Sequence, residues 1–151
     1  MEETQTWLLL ILSLSGPQRN SRMRIWRALK GLGAAVLRDG VYLLPATPEL
    51  RQNLQAQADA IRAAGGNSYL IAFESDIEET HSFRALFDRE SDYEALLTQV
   101  QTFQSQVQQA EEIEARRQLV QLQRQFQALT VIDYFPGKAR DQAAQVMAET
   151  E

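Results

Sequence analysis

The fold is decided by residues 6–45, which run Thr6-Trp-Leu-Leu-Leu-Ile-Leu-Ser-Leu14, Ser15-Gly-Pro-Gln-Arg-Asn-Ser21, Arg22-Met-Arg-Ile-Trp-Arg-Ala-Leu-Lys-Gly-Leu-Gly33 and Ala34-Ala-Val-Leu-Arg-Asp-Gly-Val-Tyr-Leu-Leu-Pro45. The pattern is strand, loop, basic helix, strand pair. The opening apolar run is too short to span a membrane, and Gly16 and Pro17 close it, so it reads as a buried central strand. In the helix, Met23, Trp26 and Leu29 recur at i, i+3 and i+6 with Ile25 and Leu32 beside them, which leaves Arg24, Arg27 and Lys30 to face outward. Asp39-Gly40 between two apolar runs is a hairpin signal, and Pro45 stops the second strand.

Charge placement in this helix calls for an explanation. With Asn20 or Ser21 as N-cap, Arg22 and Arg24 fall in the first turn, where the macrodipole is already positive and acid is the usual choice. An anionic partner would remove the conflict. Free backbone N–H groups together with the guanidinium groups of Arg19, Arg22 and Arg24 form a site suited to phosphate or another oxyanion. The plainer reading is a solvated basic face on a good helix former.

Working outward, Thr47 caps and Pro48 opens a second helix over residues 48–64, whose apolar stripe is Leu50, Leu54, Ala58 and Ile61. Gly65-Gly66 ends it, and Ser68-Tyr-Leu-Ile-Ala-Phe73 is a further strand. The order β-α-β-β-α-β is the ferredoxin-like arrangement, an antiparallel sheet with two helices on one face. The fold class is therefore α+β, with a ferredoxin-like core over residues 1–80 and a helical region over residues 81–151, together one structural domain. In the helical region Tyr93, Leu96, Leu97, Val100, Phe103 and Val107 form one stripe, and Leu119, Leu122, Phe126 and Leu129 another. They predict an antiparallel hairpin turning near residues 110–117, then a turn at Ile132-Asp-Tyr-Phe-Pro-Gly137 and a last helix to about Ala148. Such stripes suit packing within the chain or a homodimer contact.

Composition narrows the function classes. The 151-residue chain contains no cysteine, which excludes disulfides, thiolate metal sites and cysteine nucleophiles. Glu2 and Glu3 take the place of a basic signal-peptide region, so a cytoplasmic location is expected. The net charge of −5 is uneven, since residues 17–40 hold six cations against Asp39 and carry +5. A basic face on an acidic body suits a local polyanion contact rather than general coating of nucleic acid. No phosphate loop, nucleophile elbow or zinc motif occurs, and nothing places two carboxylates for acid/base work, so an enzyme is not expected. His81, with Asp76, Glu78 and Glu79, reads as solvated loop acids rather than a metal site, and neither metal nor cofactor is expected. Asp88, Glu90, Asp92 and Glu94 read as favourable charge at a helix start. Trp7 and Trp26 are expected in the core.

The stretches Trp7–Leu14, Arg22–Lys30 with Gly33, and Leu37–Pro45 together resemble the N-terminal domain of the ChrB chromate-resistance family, as do Ala85-Leu-Phe-Asp-Arg89 with Tyr93 and Ile132-Asp-Tyr-Phe-Pro-Gly137. The resemblance implies a cytoplasmic regulator of chromate-resistance genes whose basic region contacts DNA through Arg19, Arg22, Arg24, Arg27, Lys30 and Arg38. Chromate or a similar oxyanion is the implied small partner, read here or through the second domain in which family members commonly continue. Gly40-Val-Tyr-Leu-Leu-Pro45 and the element order also look like phenylacetate-type repressors and the small CRISPR adaptation nucleases. Those nucleases carry a metal-binding Asp near the end of the first strand. Here that stretch reads Leu12-Ser13-Leu14, which argues against metal-dependent phosphodiester cleavage.

Overall fold

The computed structural model describes residues 4–14 and 19–150, with Arg19 described in its backbone only. In chain order the elements are β1 (Gln5–Ser13), α1 (Arg19–Gly31), β2 (Ala35–Arg38), β3 (Val41–Pro45), α2 (Pro48–Ala63), β4 (Asn67–Ser75), α3 (Ile77–Ala85), α4 (Glu90–Gln106), a single 3-10 turn at Val107–Gln109, α5 (Glu112–Ile132) and α6 (Lys138–Thr150). The class is α+β, built on a four-stranded sheet in the order β2-β3-β1-β4 in which all neighbours are antiparallel. The chain divides into two compact units, Met1–Phe87 and Asp88–Glu151. The division falls later than residue 80, because α3 and Phe87 belong with the strands.

Strand alternation explains how the first unit buries residues on both sheet faces. Cross-strand register puts Leu8 opposite Leu44 and Ala72, and Leu12 opposite Ser68, so these share one face. Helix α2 lies on that face: the Ser68 hydroxyl donates to the Ala58 carbonyl at 2.9 Å, and Leu50, Leu54, Ala58 and Ile61 are all buried. Thr47 Oγ1 accepts from the Leu50 N–H and Pro48 takes the first turn, as the spacing predicts. Trp7 points to the opposite face. Its ring is fully buried, stacked on Phe87 at 5.8 Å and edge-on to Phe83 at 5.4 Å, while Nε1–H donates to Ser75 Oγ at 2.8 Å.

Helix α3 is not legible as a helix from its sequence. Asp76 and Glu79 are its capping box, in which Asp76 Oδ1 accepts from the Glu79 N–H at 2.7 Å and Glu79 Oε1 accepts from the Asp76 N–H at 3.4 Å. His81 therefore sits on a helix rather than in an acidic loop. Among the described residues no group of three or more His, Asp or Glu side chains is placed to hold a metal ion. The apolar periodicity that would expose α3 is missing, since Thr80 is its one buried residue.

In the second unit, Leu96, Val100 and Phe103 of α4, Leu122 of α5 and Met147 of α6 form one apolar cluster, with Leu119, Phe126 and Leu129 packed against it. The helical hairpin is present, but its break lies at Val107–Glu111 and not across residues 110–117. Residues from Glu112 onward open α5, where two acids suit the helix N-terminus and Arg116–Glu112 (3.0 Å) and Arg117–Glu114 (2.8 Å) bridge its first turns. Among the described residues no helix is long and apolar enough to cross a membrane.

Candidate nucleic-acid interface

Helix α1 starts at Arg19, earlier than an Asn20 or Ser21 cap allows. Arg22 thus ends the first turn and Arg24 lies in the second. The expected crowding of both at the positive end of the dipole is relaxed, although the first turn still holds no acid. The residues at the natural cap position, 15–18, and the Arg19 side chain lie outside the described residues.

The core-facing stripe of α1 is also rotated from the expected one. Ile25 and Leu29 are buried, whereas Met23 and Trp26 are each 42% exposed. The apolar surface beneath this helix needs only one narrow row from it, and i, i+4 supplies that row. Trp26 is therefore an accessible indole rather than core, and Lys30 Nζ lies 4.9 Å from its ring centroid.

Rotation of about 100° per residue places Arg22 and Arg24 on opposite flanks of the helix, about 200° apart, with Arg27 between them on the outermost line. Arg22 shares its flank with Trp26 and Lys30. Arg38 stands apart, on β2 in register with Val41 and beyond an irregularity in the β2–β3 pairing. Arg22, Arg24, Arg27, Lys30 and Arg38 are all exposed, and among the described residues no ion pair involves any of them. Helical spacing thus sets Arg22 on the Trp26–Lys30 flank, keeps Arg27 within one turn of both Arg24 and Lys30 on the outer side, and leaves Arg38 apart on β2.

Beside Arg22 lies a cleft of about 580 Å³ between α1 and the ends of β1 and β3. Leu12, Met23, Trp26 and Tyr42 form its apolar wall, and Arg22, Ser13 and Asp39 are its polar groups. The hairpin turn supports it: the Leu12 N–H donates to the Gly40 carbonyl at 2.8 Å, and Gly40 has φ +79° with its missing Cβ only 2.6 Å from the Leu12 carbonyl oxygen. Only glycine fits there. Burial first, and then the Asp39 carboxylate, push the Tyr42 hydroxyl up, so it stays a neutral donor at physiological pH. Tyr42, Asp39 and Trp26 are not among the candidates that the sequence offers. The signal available is an Asp-Gly hairpin facing a helix with more apolar residues than its buried row needs.

A second polar cavity, about 490 Å³, lies within the helical unit. There Tyr93 and Asp133, both buried, meet through a 2.8 Å hydrogen bond from the tyrosine hydroxyl, and Arg89 Nε–H donates to the Ile132 carbonyl at 3.4 Å. Burial and the Asp133 hydrogen bond raise the Tyr93 hydroxyl far above the usual phenol range. Arg89 and Tyr93 are thereby joined to the distant stretch Ile132–Gly137.

Comparison with known proteins gives the family. The model described as Protein ChrB, N-terminal, matches residues 22–151. Protein ChrB of Cupriavidus metallidurans (strain ATCC 43123 / DSM 2839 / NBRC 102507 / CH34) is 36% identical over 138 residues, covering 91% of this chain and 43% of that protein. The chain thus spans less than half the length of the curated relative that it matches. On both matches, this chain belongs to the ChrB N-terminal family.

Proposed function

We propose that this chain is the DNA-contacting part of a chromate-resistance regulator, working in the cytoplasm and catalysing no reaction. The observation that carries the reading is a set of exposed cations on and beside α1, Arg22, Arg27 and Lys30 together with Arg24 and Arg38, none in an ion pair among the described residues. They sit in a chain whose other charges sum to a strong excess of acid. Cations held free of acid partners are suited to displacing counterions from phosphate. The β-α-β-β-α-β order, with β1 and β3 central and all strands antiparallel, supports reading the first unit as ferredoxin-like, which presents α1 as a scaffolded surface helix.

The acting species in this reading is a homodimer. Ile113, Val120 and Val131 of α5 are 81%, 45% and 72% exposed, and helical geometry lines them up along one side of α5. Sedimentation of the protein at two concentrations checks this, and a monomer at both would remove it.

The function is tested by titrating the purified protein on promoter DNA from its own gene neighbourhood at two salt concentrations, with and without chromate. Salt-weakened binding relieved by chromate supports a regulator that needs no further sensor. Salt-weakened binding indifferent to chromate supports a DNA-contacting part served by another segment or protein. No binding at either salt defeats the reading and favours a protein-interaction module instead.

A further inference from the structure

Phosphate recognition needs cations alone, and the α1 surface offers something more. An indole 42% exposed, a methionine exposed to the same degree and a tyrosine face one concave cleft, with a guanidinium on its rim. We propose that this cleft takes a single unstacked nucleobase, with the base against Trp26 and its 5′ or 3′ phosphate on Arg22. This rests on the preceding reading and names the ligand of the same surface more closely.

Each group has a role that fits a nucleotide better than a plain apolar ligand. Trp26 and Met23 offer a flat, polarisable wall, and an indole stacks on any base because every base has a π face. Lys30 Nζ, 4.9 Å from the indole centroid, adds a second cation beside the ring that would hold the base, available to the sugar–phosphate backbone. Asp39 accepts, and the neutral Tyr42 hydroxyl both donates and accepts, which matches the mixed donors and acceptors on a base edge. The cleft volume of about 580 Å³ falls in the roughly 300–1,000 Å³ range of small-molecule sites. A base stacked within a duplex cannot enter a concavity between helix and sheet, so the ligand is a single strand or a free nucleotide.

The two tryptophans make the test direct, because Trp7 is fully buried and Trp26 is not. The whole chain is titrated with a single-stranded oligonucleotide, its duplex and a mononucleotide, following tryptophan fluorescence and, for the two oligonucleotides, anisotropy. The expected result is quenching by the single strand, with Trp26→Leu losing roughly 5- to 150-fold in single-strand affinity and Trp26→Phe recovering part of it. Unchanged circular dichroism in both variants assigns the loss to the ring. Quenching by the mononucleotide as strong as by the strand identifies a free nucleotide as the ligand, and quenching by the strand alone identifies a polynucleotide; both support the site. Full single-strand affinity in Trp26→Leu overturns it. Salt-sensitive duplex binding with no signal from Trp26 for any probe overturns the base site and leaves the phosphate reading standing, whereas no binding of any nucleic acid overturns both.

Discussion

The arginines of α1 and those of the helical unit use the same side chain in opposite ways. Arg22, Arg24 and Arg27 are exposed and without an ion pair among the described residues, while Arg116 and Arg117 bridge Glu112 and Glu114 within a turn of their own helix. Arg89 is more deeply committed still, at 18% side-chain exposure, donating to the Ile132 carbonyl and lying 3.9 Å from Asp92. Hydrogen bonds from Arg117 hold the Glu114 carboxyl below the usual carboxylate range. An incoming phosphate would have to replace a carboxylate partner at Arg116 or Arg117, an exchange of small cost at so exposed a pair, and would meet no ion pair among the described residues at Arg22, Arg24 or Arg27. The contrast therefore separates cations paired within the chain from cations with no ion pair among the described residues.

Four sets of substitutions, with a fifth as a matched control, break or sharpen that contrast, and the effects of the four on stability should fall in the order given. Trp7→Ala removes a fully buried ring, its stack on Phe87 and its bond to Ser75, so it should cost about 3–5 kcal/mol and lower the denaturation midpoint of the first unit. Tyr93→Phe leaves the buried Asp133 without its hydroxyl donor and should cost about 1–3 kcal/mol, read by chemical denaturation of the helical unit.

The same tyrosine predicts a pH dependence. Its folded-state pKa is raised above the ordinary value of 10.0, so the folded chain holds that proton more tightly than the unfolded one. The resulting stability is fully present below about pH 10 and is lost as the pH climbs toward the folded value. Alkaline titration of the wild type should show this loss beginning above pH 10, and Tyr93→Phe should lack that component.

Asp76→Ala removes the cap of α3 and should cost about 0.5–2 kcal/mol, less than either core change. Arg22→Gln with Lys30→Gln should change stability by no more than about 0.5 kcal/mol. On the proposed function that pair should instead lower the salt slope of DNA binding by about one unit for each phosphate that the protein no longer neutralises. Arg116→Gln with Arg117→Gln is the matched control from the other unit and should leave the slope unchanged. Equal slopes for both pairs would erase the distinction between the two arginine sets.

Much of the first unit is readable from local pattern. The apolar run of β1, the Asp39-Gly40 turn and the Leu50, Leu54, Ala58, Ile61 stripe each correspond to an observed element, because each depends on neighbours within one turn or one strand. Two Asp signals differ in how far they can be read. Asp39-Gly40 is legible because apolar runs flank it, and Asp76-Ile-Glu-Glu79 is not, because the helix that it caps buries almost nothing.

The candidate site is legible as a set of cations and not as an arrangement. Arg22 and Arg24 look like partners from their spacing, yet two residues so placed on a helix point to opposite flanks, and the earlier start at Arg19 moves both away from the dipole's end. Trp26 fits the apolar count of α1 equally well as core or as surface.

What the sequence by itself determined is the succession of strands and helices other than α3, the hairpin at Gly40 and the concentration of positive charge on one helix, all of which follow from local sterics, periodicity and residue type. What only the tertiary structure decided is which row of α1 meets the sheet, that Trp26 with Tyr42 and Asp39 forms a cleft, and that Tyr93 finds Asp133 forty residues away. Those outcomes depend on long-range packing, where one apolar residue can replace another in the core at little cost, so periodicity alone leaves the choice open.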